Sequence, residues 1–150
     1  MTDLIVLDTG PLALITHPKA SAENDACNQW LRFQIAKEKL VVIPGISDYE
    51  LRRKLVHINS VASIAKLDAL ASTLLFAPIT TQVMNHAALL WARARNIGRP
   101  TAVDPALDGD VILSAQALLL ERQDRRVVIA TTNVKHLDLF CTASLWRDIN

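Results

Sequence analysis

Leu4-Ile5-Val6-Leu7-Asp8-Thr9-Gly10-Pro11 is an unbroken apolar run that ends abruptly in a carboxylate, a hydroxyl and two turn-formers. Such a run reads as a strand buried on both faces, as in a parallel sheet. In open α/β sheets ligands gather just beyond the carboxyl ends of the strands. Asp8 belongs at such an edge, and an acid that ends a buried strand has to find compensation. What matters next is which other acids join it.

Downstream, strand and helix patterns alternate. Pro11 fits the first turn of a short helix running to about Ile15, where His17-Pro18 ends it. A helix is expected from about Ala22 to Lys37, with Ala26, Trp30 and Phe33 spaced for one face. Val41-Val42-Ile43 reads as a second strand, stopped by Pro44-Gly45. Ser47-Asp48-Tyr49-Glu50 opens the next helix, with Leu51, Leu55 and Ile58 inside, and another helix spans about Ser60 to Leu74. Leu75-Phe76-Ala77-Pro78-Ile79 reads as a third strand, short or at an edge because of its proline. Thr80 or Thr81 caps a helix to about Asn96, with Ala87, Leu90, Trp91 and Ala94 inward.

The stretch from Gly98 to Leu107 is polar and proline-containing and reads as a loop. Asp108-Gly109-Asp110 then starts a nearly all-apolar helix, Val111 to Leu120, which should be central and buried. Val127-Val128-Ile129-Ala130 is a β-branched strand closed by the polar turn Thr131-Thr132-Asn133, and the tail Leu145-Trp146-Arg147-Asp148 packs last. Strands alternating with helices imply an α/β fold, an α/β/α sandwich around a mainly parallel sheet of four to five strands.

The 150 residues fit one domain, 1–150, with no repeat, low-complexity tract or charge block to divide them. Hydrophobic residues make up 51% and charged residues 21%, an ordinary globular balance. A net charge of +1 gives no global basic field, so affinity for nucleic acid has to come from local patches. Cys27 and Cys141 lack metal-ligand spacing and read as reduced thiols of a cytoplasmic protein. Asp3, not a basic residue, precedes the first short apolar run, which argues against a signal peptide, and no stretch is long enough for a membrane span.

Four sites gather at one edge of this expected sheet. Two strands end in polar side chains, at Asp8-Thr9 and at Thr131-Thr132-Asn133, and two helices begin with acids, Glu50 and the Asp108/Asp110 pair. Packed carboxylates are costly unless a cation neutralises them. An all-oxygen set favours a hard ion, Mg²⁺ or Mn²⁺, over zinc. Such ions bind phosphates and generate an attacking hydroxide, which points to phosphodiester hydrolysis. Each residue also has a purely structural reading. Ser47-x-x-Glu50 fits a capping box, Asp108 an N-cap and Asp110 a first-turn acid favoured by the helix dipole. Asn133 suits a turn.

In this order the motifs resemble those of the PIN-domain ribonucleases, especially the VapC-like toxins of bacterial toxin–antitoxin pairs. The family's acid plus Ser or Thr closing strand one is matched by Asp8 and Thr9. Its glutamate near position forty to fifty is matched by Glu50 in Tyr49-Glu50-Leu51. Its aspartate opening an alanine-rich helix is matched by Asp110 in Asp110-Val-Ile-Leu-Ser-Ala-Gln-Ala117. Its polar turn of the form Thr-x-Asn or Thr-x-Asp is matched by Thr131-Thr132-Asn133. The fourth position is often acidic in the family and is Asn133 here, and Asp104 and Asp108 also lie near the third motif.

The resemblance implies a PIN-like fold and a Mg²⁺- or Mn²⁺-dependent endoribonuclease. Asp8 and Asp110 would hold the ion, Glu50 would help directly or through water, and Asp108 would bind through water or cap the helix. Thr9 and Asn133 would position ligands or phosphate. Family chemistry implies a 5′-phosphate and a 3′-hydroxyl product, an antitoxin partner encoded alongside, and a homodimer that exposed apolar helix faces such as 60–75 would serve.

Three basic groups are candidates for the RNA backbone: Arg52-Arg53-Lys54, Arg93 with Arg95 and Arg99, and Arg122 with Arg125 and Arg126. The first has the best claim because it follows Glu50 within about a turn, although a solvated helix face explains each equally well. His17, His57, His86 and His136 show no paired zinc spacing, and Trp30, Trp91 and Trp146 read as core or interface aromatics.

Rival readings remain. A PIN-like module without nuclease activity, acting through partner contacts, is kept open by Asn133. An aspartic protease shares Asp8-Thr9-Gly10 but needs an all-β scaffold. A dehalogenase-type phosphatase needs an acid where Gly10 stands.

Overall fold

A computed structural model of the chain describes residues 2–97, 104–122 and 124–150. Its elements run β1 (Thr2–Leu7), α1 (Thr9–Thr16), α2 (Ala22–Ala36), β2 (Leu40–Pro44), α3 (Gly45–His57) and α4 (Val61–Thr73). They continue with β3 (Leu75–Ala77), α5 (Thr81–Ile97), α6 (Asp104–Leu118), β4 (Arg125–Thr131), β5 (Ala143–Leu145) and a 3-10 turn, Trp146–Asp148. The strands form one sheet in the order β3-β2-β1-β4-β5, every neighbouring pair parallel. This is the expected α/β architecture.

β1 lies at the centre and is buried on both faces, which is why its residues are apolar without alternation. Ile5 and Leu7 pack with Leu12, Trp30, Leu51 and Leu67 from α1–α4 on one side. Leu4 and Val6 pack with Ile46, Leu113 and Ala117 on the other, where α6 lies. α5 forms an outer layer, its Val83, Ala87, Leu90 and Ala94 seated on Leu107, Val111 and Ala115 of α6. Trp30 and Trp146 meet edge-on at 5.9 Å inside the first core. Cys27 and Cys141 are unpaired, and burial pushes the Cys27 thiol up to about 12.

Some expectations are corrected. α6 begins at Asp104, not at Asp108–Asp110, because Pro105, which reads as a loop signal, is also a favoured first-turn residue. Of the loop expected from Gly98 to Leu107, residues 98–103 lie outside the described residues and 104–107 are helical. α3 begins at Gly45, so Ser47 and Glu50 lie inside the helix and form no capping box. The inner face of α2 is Cys27, Trp30, Leu31 and Gln34; Ala26 and Phe33 are exposed, and Lys37 covers the Phe33 ring at 5.1 Å. Ile58 and Trp91, expected inside, are exposed. β5 was not expected, since Ala143-Ser144-Leu145 carries no β-branched residue and is held by its pairing with Ile129–Thr131.

Thr80 is the cap of α5, its Oγ1 accepting from Val83 N at 3.1 Å. α3 is capped differently. Pro44 offers no side-chain acceptor, and the Ile46 amide donates instead to Gln116 Oε1 of α6 at 3.2 Å. The Gln116 Nε2 donates to Ala77 O (2.7 Å) and Pro78 O (3.2 Å) beyond β3. One buried amide thus ties α6 to the first turn of α3 and to the end of the edge strand.

Candidate active site

Parallel register sets the first corner of the site. Leu7 pairs with Ala130, so the next residues, Asp8 and Thr131, lie side by side at the carboxyl edge of the sheet. Thr131 Oγ1 donates to Asp8 Oδ2 at 2.8 Å and accepts from Asn133 N at 3.0 Å. Asp8 also caps α1, its Oδ1 accepting from Thr9 N at 2.7 Å. Burial raises the Asp8 pKa above its usual value, and the two hydrogen bonds oppose that rise without cancelling it.

α1 has to start tightly here. A Cβ on Gly10 would come within 2.4 Å of Thr132 Oγ1, so any larger residue here would force the Thr132 side chain aside where the helix begins against the β4 turn. Thr9, in the first turn of α1, donates from Oγ1 to Glu50 Oε1 at 3.1 Å. The other Glu50 oxygen faces α6, where a Cβ on Gly109 would lie 2.9 Å from Oε2. Asp110 follows directly. Its pKa is pushed up to about 6, first by burial and then by the negative charges of Asp8 and Glu50. The charges acting on Asp110 are therefore both of its own sign.

Asp8 at the β1–α1 junction, Thr9 of α1, Glu50 of α3 and Asp110 of α6 thus come together at the carboxyl edge of the sheet. The donors are all oxygen, which fits a hard divalent cation such as Mg²⁺ or Mn²⁺ and not a soft one. As they stand, no three His, Cys, Asp or Glu side chains among the described residues are gathered closely enough to hold an ion.

Three other candidates are placed differently. Asp108 neither caps α6 nor joins the cleft. It lies about 200° round the helix axis from Asp110 and lines a groove of about 400 Å³ with Met84, Trp91 and Val111. Asn133 is exposed, and its Oδ1 accepts from Lys135 N at 3.2 Å, so its side chain serves the turn. Arg52 is engaged by Asp48 (Nε–Oδ2 3.0 Å, Nη2–Oδ1 3.1 Å) and by Asp68 of α4 (2.8 Å). These carboxylates push the guanidinium pKa up, and Arg52 acts as a clip between α3 and α4. Arg53 lies over the Tyr49 ring at 5.2 Å, and Lys54 is exposed.

Of the other basic groups, Arg125 and Arg126 start β4, at the opposite edge of the sheet from Asp8, and Arg126 pairs with Asp3 at 2.8 Å. Arg95 lies over Trp91 at 5.0 Å, and Arg99 is outside the described residues. Two residues of the site carry roles that the sequence reading does not assign: Thr131, whose hydroxyl meets Asp8, and Gly109, which lies against Glu50. The signal for Gly109 is a glycine set between two acids, Asp108 and Asp110.

The fold is PIN-like, and comparison with solved structures bears this out along nearly the whole chain. A chain of VapBC2 from Rickettsia felis, solved bound to a DNA fragment from their promoter, matches with a TM-score of 0.71 at 18% identity, covering 95% of this chain and 98% of that one. A chain of DNA-bound VapBC from Salmonella typhimurium matches at 0.69 and 20% identity, covering 97% and 99%. VapBC-1 from nontypeable Haemophilus influenzae gives 0.68 and 16%, again over 97% and 99%. No family model matches the sequence, and no curated protein does. Identities this low establish a shared fold.

Proposed function

We propose that this protein is a divalent-metal-dependent endoribonuclease, with Asp8, Glu50 and Asp110 as its acidic centre and Mg²⁺ or Mn²⁺ as its ion. One observation carries the reading: carboxylates from the end of β1, from α3 and from α6 come together at one edge of the sheet, where burial and then the charges of Asp8 and Glu50 push the Asp110 pKa upward. Like charges brought together at a cost in stability are a functional signal.

Asp8 and Asp110 would hold the ion directly, with Glu50 completing the set. When bound, the ion would polarise a scissile phosphate and make its bound water acidic. Thr131 and the Thr9 amide fix the Asp8 carboxylate through both oxygens. The Thr9 hydroxyl donates to one Glu50 oxygen, and the other lies nearest Gly109. Glu50, held by the Thr9 hydroxyl, would accept a proton from the attacking water. Asn133 enters as a turn residue that holds Thr131 in place through its backbone amide. Arg53 and Lys54 on α3 are the residues proposed to meet RNA phosphate. Asp108 is left out of the ligand set.

By the same reading the protein is the toxin of a toxin–antitoxin pair, cytoplasmic, restrained by an antitoxin and paired with a second copy of itself. The VapBC likeness supports the partner. Exposed Val56, Ile58 and Val61, at the junction of α3 and α4, support an apolar contact surface. Among the described residues no helix is long and apolar enough to cross a membrane. The test is cleavage of single-stranded RNA by purified protein with Mg²⁺. Cleavage that stops with EDTA, and is lost in Asp8→Asn and Asp110→Asn, is the expected result. Equal cleavage by the variants would place the activity elsewhere, and none by the wild type would favour an inactive binding module.

A further inference from the structure

Gly109 sits in the body of α6, where glycine weakens a helix relative to alanine. Its backbone is helical, a conformation open to any residue, so conformational freedom does not explain it. The surroundings do. The three atoms nearest to a Cβ built at this position all belong to Glu50: Oε2 at 2.9 Å, Cδ at 3.5 Å and Oε1 at 3.7 Å.

We infer that Gly109 is a positioning residue for Glu50, the absent Cβ leaving the gap into which the carboxylate settles beside Asp110. The inference rests on the nuclease reading of the site, which gives that gap a purpose. Glu50 is held between two helices, with Oε1 receiving the Thr9 hydroxyl and Oε2 lying against the bare Cα of Gly109. A methyl group at 109 would displace the end of a flexible side chain and no backbone. Alanine therefore costs the fold little and moves the carboxylate.

This gives stability and metal binding opposite signs, which a merely structural glycine would not do. In metal-free protein, Gly109→Ala should melt no lower than wild type, and up to about 3 °C higher, from its better helix propensity. Its Mn²⁺ affinity, read by titration calorimetry, should fall about tenfold, as for other residues that orient metal ligands. In a Glu50→Ala background the same substitution should leave Mn²⁺ affinity unchanged, because the group it displaces is gone.

Mn²⁺ binding by Gly109→Ala within about twofold of wild type would overturn the inference. So would a lower melting temperature, or an equal affinity loss in both backgrounds. A wild type that takes up no Mn²⁺ would instead sink the metal reading. The contact is then judged on melting alone: alanine at 109 must gain more in the Glu50→Ala background than in wild type, and equal gains overturn it.

Discussion

Replacing Gln116 with methionine keeps the length and volume of the side chain and removes every hydrogen bond it makes. Three backbone groups lose a partner: Ile46 N in the first turn of α3, Ala77 O and Pro78 O. A buried polar group left unpaired costs about 1–3 kcal/mol. Ile46 is buried and should bear most of that cost, Ala77 is half-buried, and Pro78 is exposed and can turn to water. The sum is about 3 kcal/mol, which for a domain of this size lowers the melting temperature by roughly 9 °C. Urea denaturation read by circular dichroism should show the loss as a shifted midpoint with an unchanged slope. Gln116→Glu sharpens the test, because a carboxylate would face Ala77 O where Nε2 now donates at 2.7 Å. Its folded pKa should rise, so its deficit should shrink as pH falls and grow as pH rises. A loss below about 1 kcal/mol for Gln116→Met, or a pH-independent deficit for Gln116→Glu, would refute the clamp.

Asp110 predicts a pH dependence for the metal-free protein. With its folded pKa raised from 3.8 to about 6, the stability it contributes is complete below about pH 4 and is lost as pH rises to about 6. Asp110→Asn should flatten this fall and gain about 1–2 kcal/mol above pH 6, the lower figure reflecting solvent access to the side chain; a steeper fall would contradict the repulsion. Thr131→Val removes a hydroxyl donated to Asp8 and should cost about 2 kcal/mol at pH 7, and less as pH falls, because burial holds the Asp8 carboxyl above its usual range; chemical denaturation at neutral and acidic pH measures it. Arg52→Met should lose about 1 kcal/mol from its two ion pairs while leaving RNA affinity at fixed salt unchanged. Lys54→Ala should weaken RNA binding and reduce its salt slope, and the reverse pattern would return Arg52 to the RNA surface.

The outline of the fold was legible because burial on both faces leaves a simple mark. β1, β2 and β4 are short apolar runs cut off by polar or turn residues. β5 left no such mark, since three residues held by one neighbour need no β propensity of their own. The start of α6 was misplaced because proline signals both loops and first helical turns. The acids were legible as a set through their order along the chain. Their surroundings were not, because they depend on contacts between residues far apart in sequence. Ser47-x-x-Glu50 mimics a capping box, yet the cap of α3 comes from Gln116, seventy positions away from Ile46. Asp108 and Asp110 look alike in sequence and are separated only by helical rotation, which sends one to the α5 groove and the other to the cleft. Arg52 looked available until α4 brought Asp68 beside it.

The central claim is that Asp8, Glu50 and Asp110 form a divalent-cation site, and thermal melting with and without Mn²⁺ tests it most directly. An ion that binds only the folded chain, at a hundred times its Kd, adds about 2.7 kcal/mol, or roughly 8 °C here. Wild type should show that rise, and Asp8→Asn and Asp110→Asn should lose it while remaining folded. A wild type that does not respond to Mn²⁺, or variants that respond equally, would contradict the account.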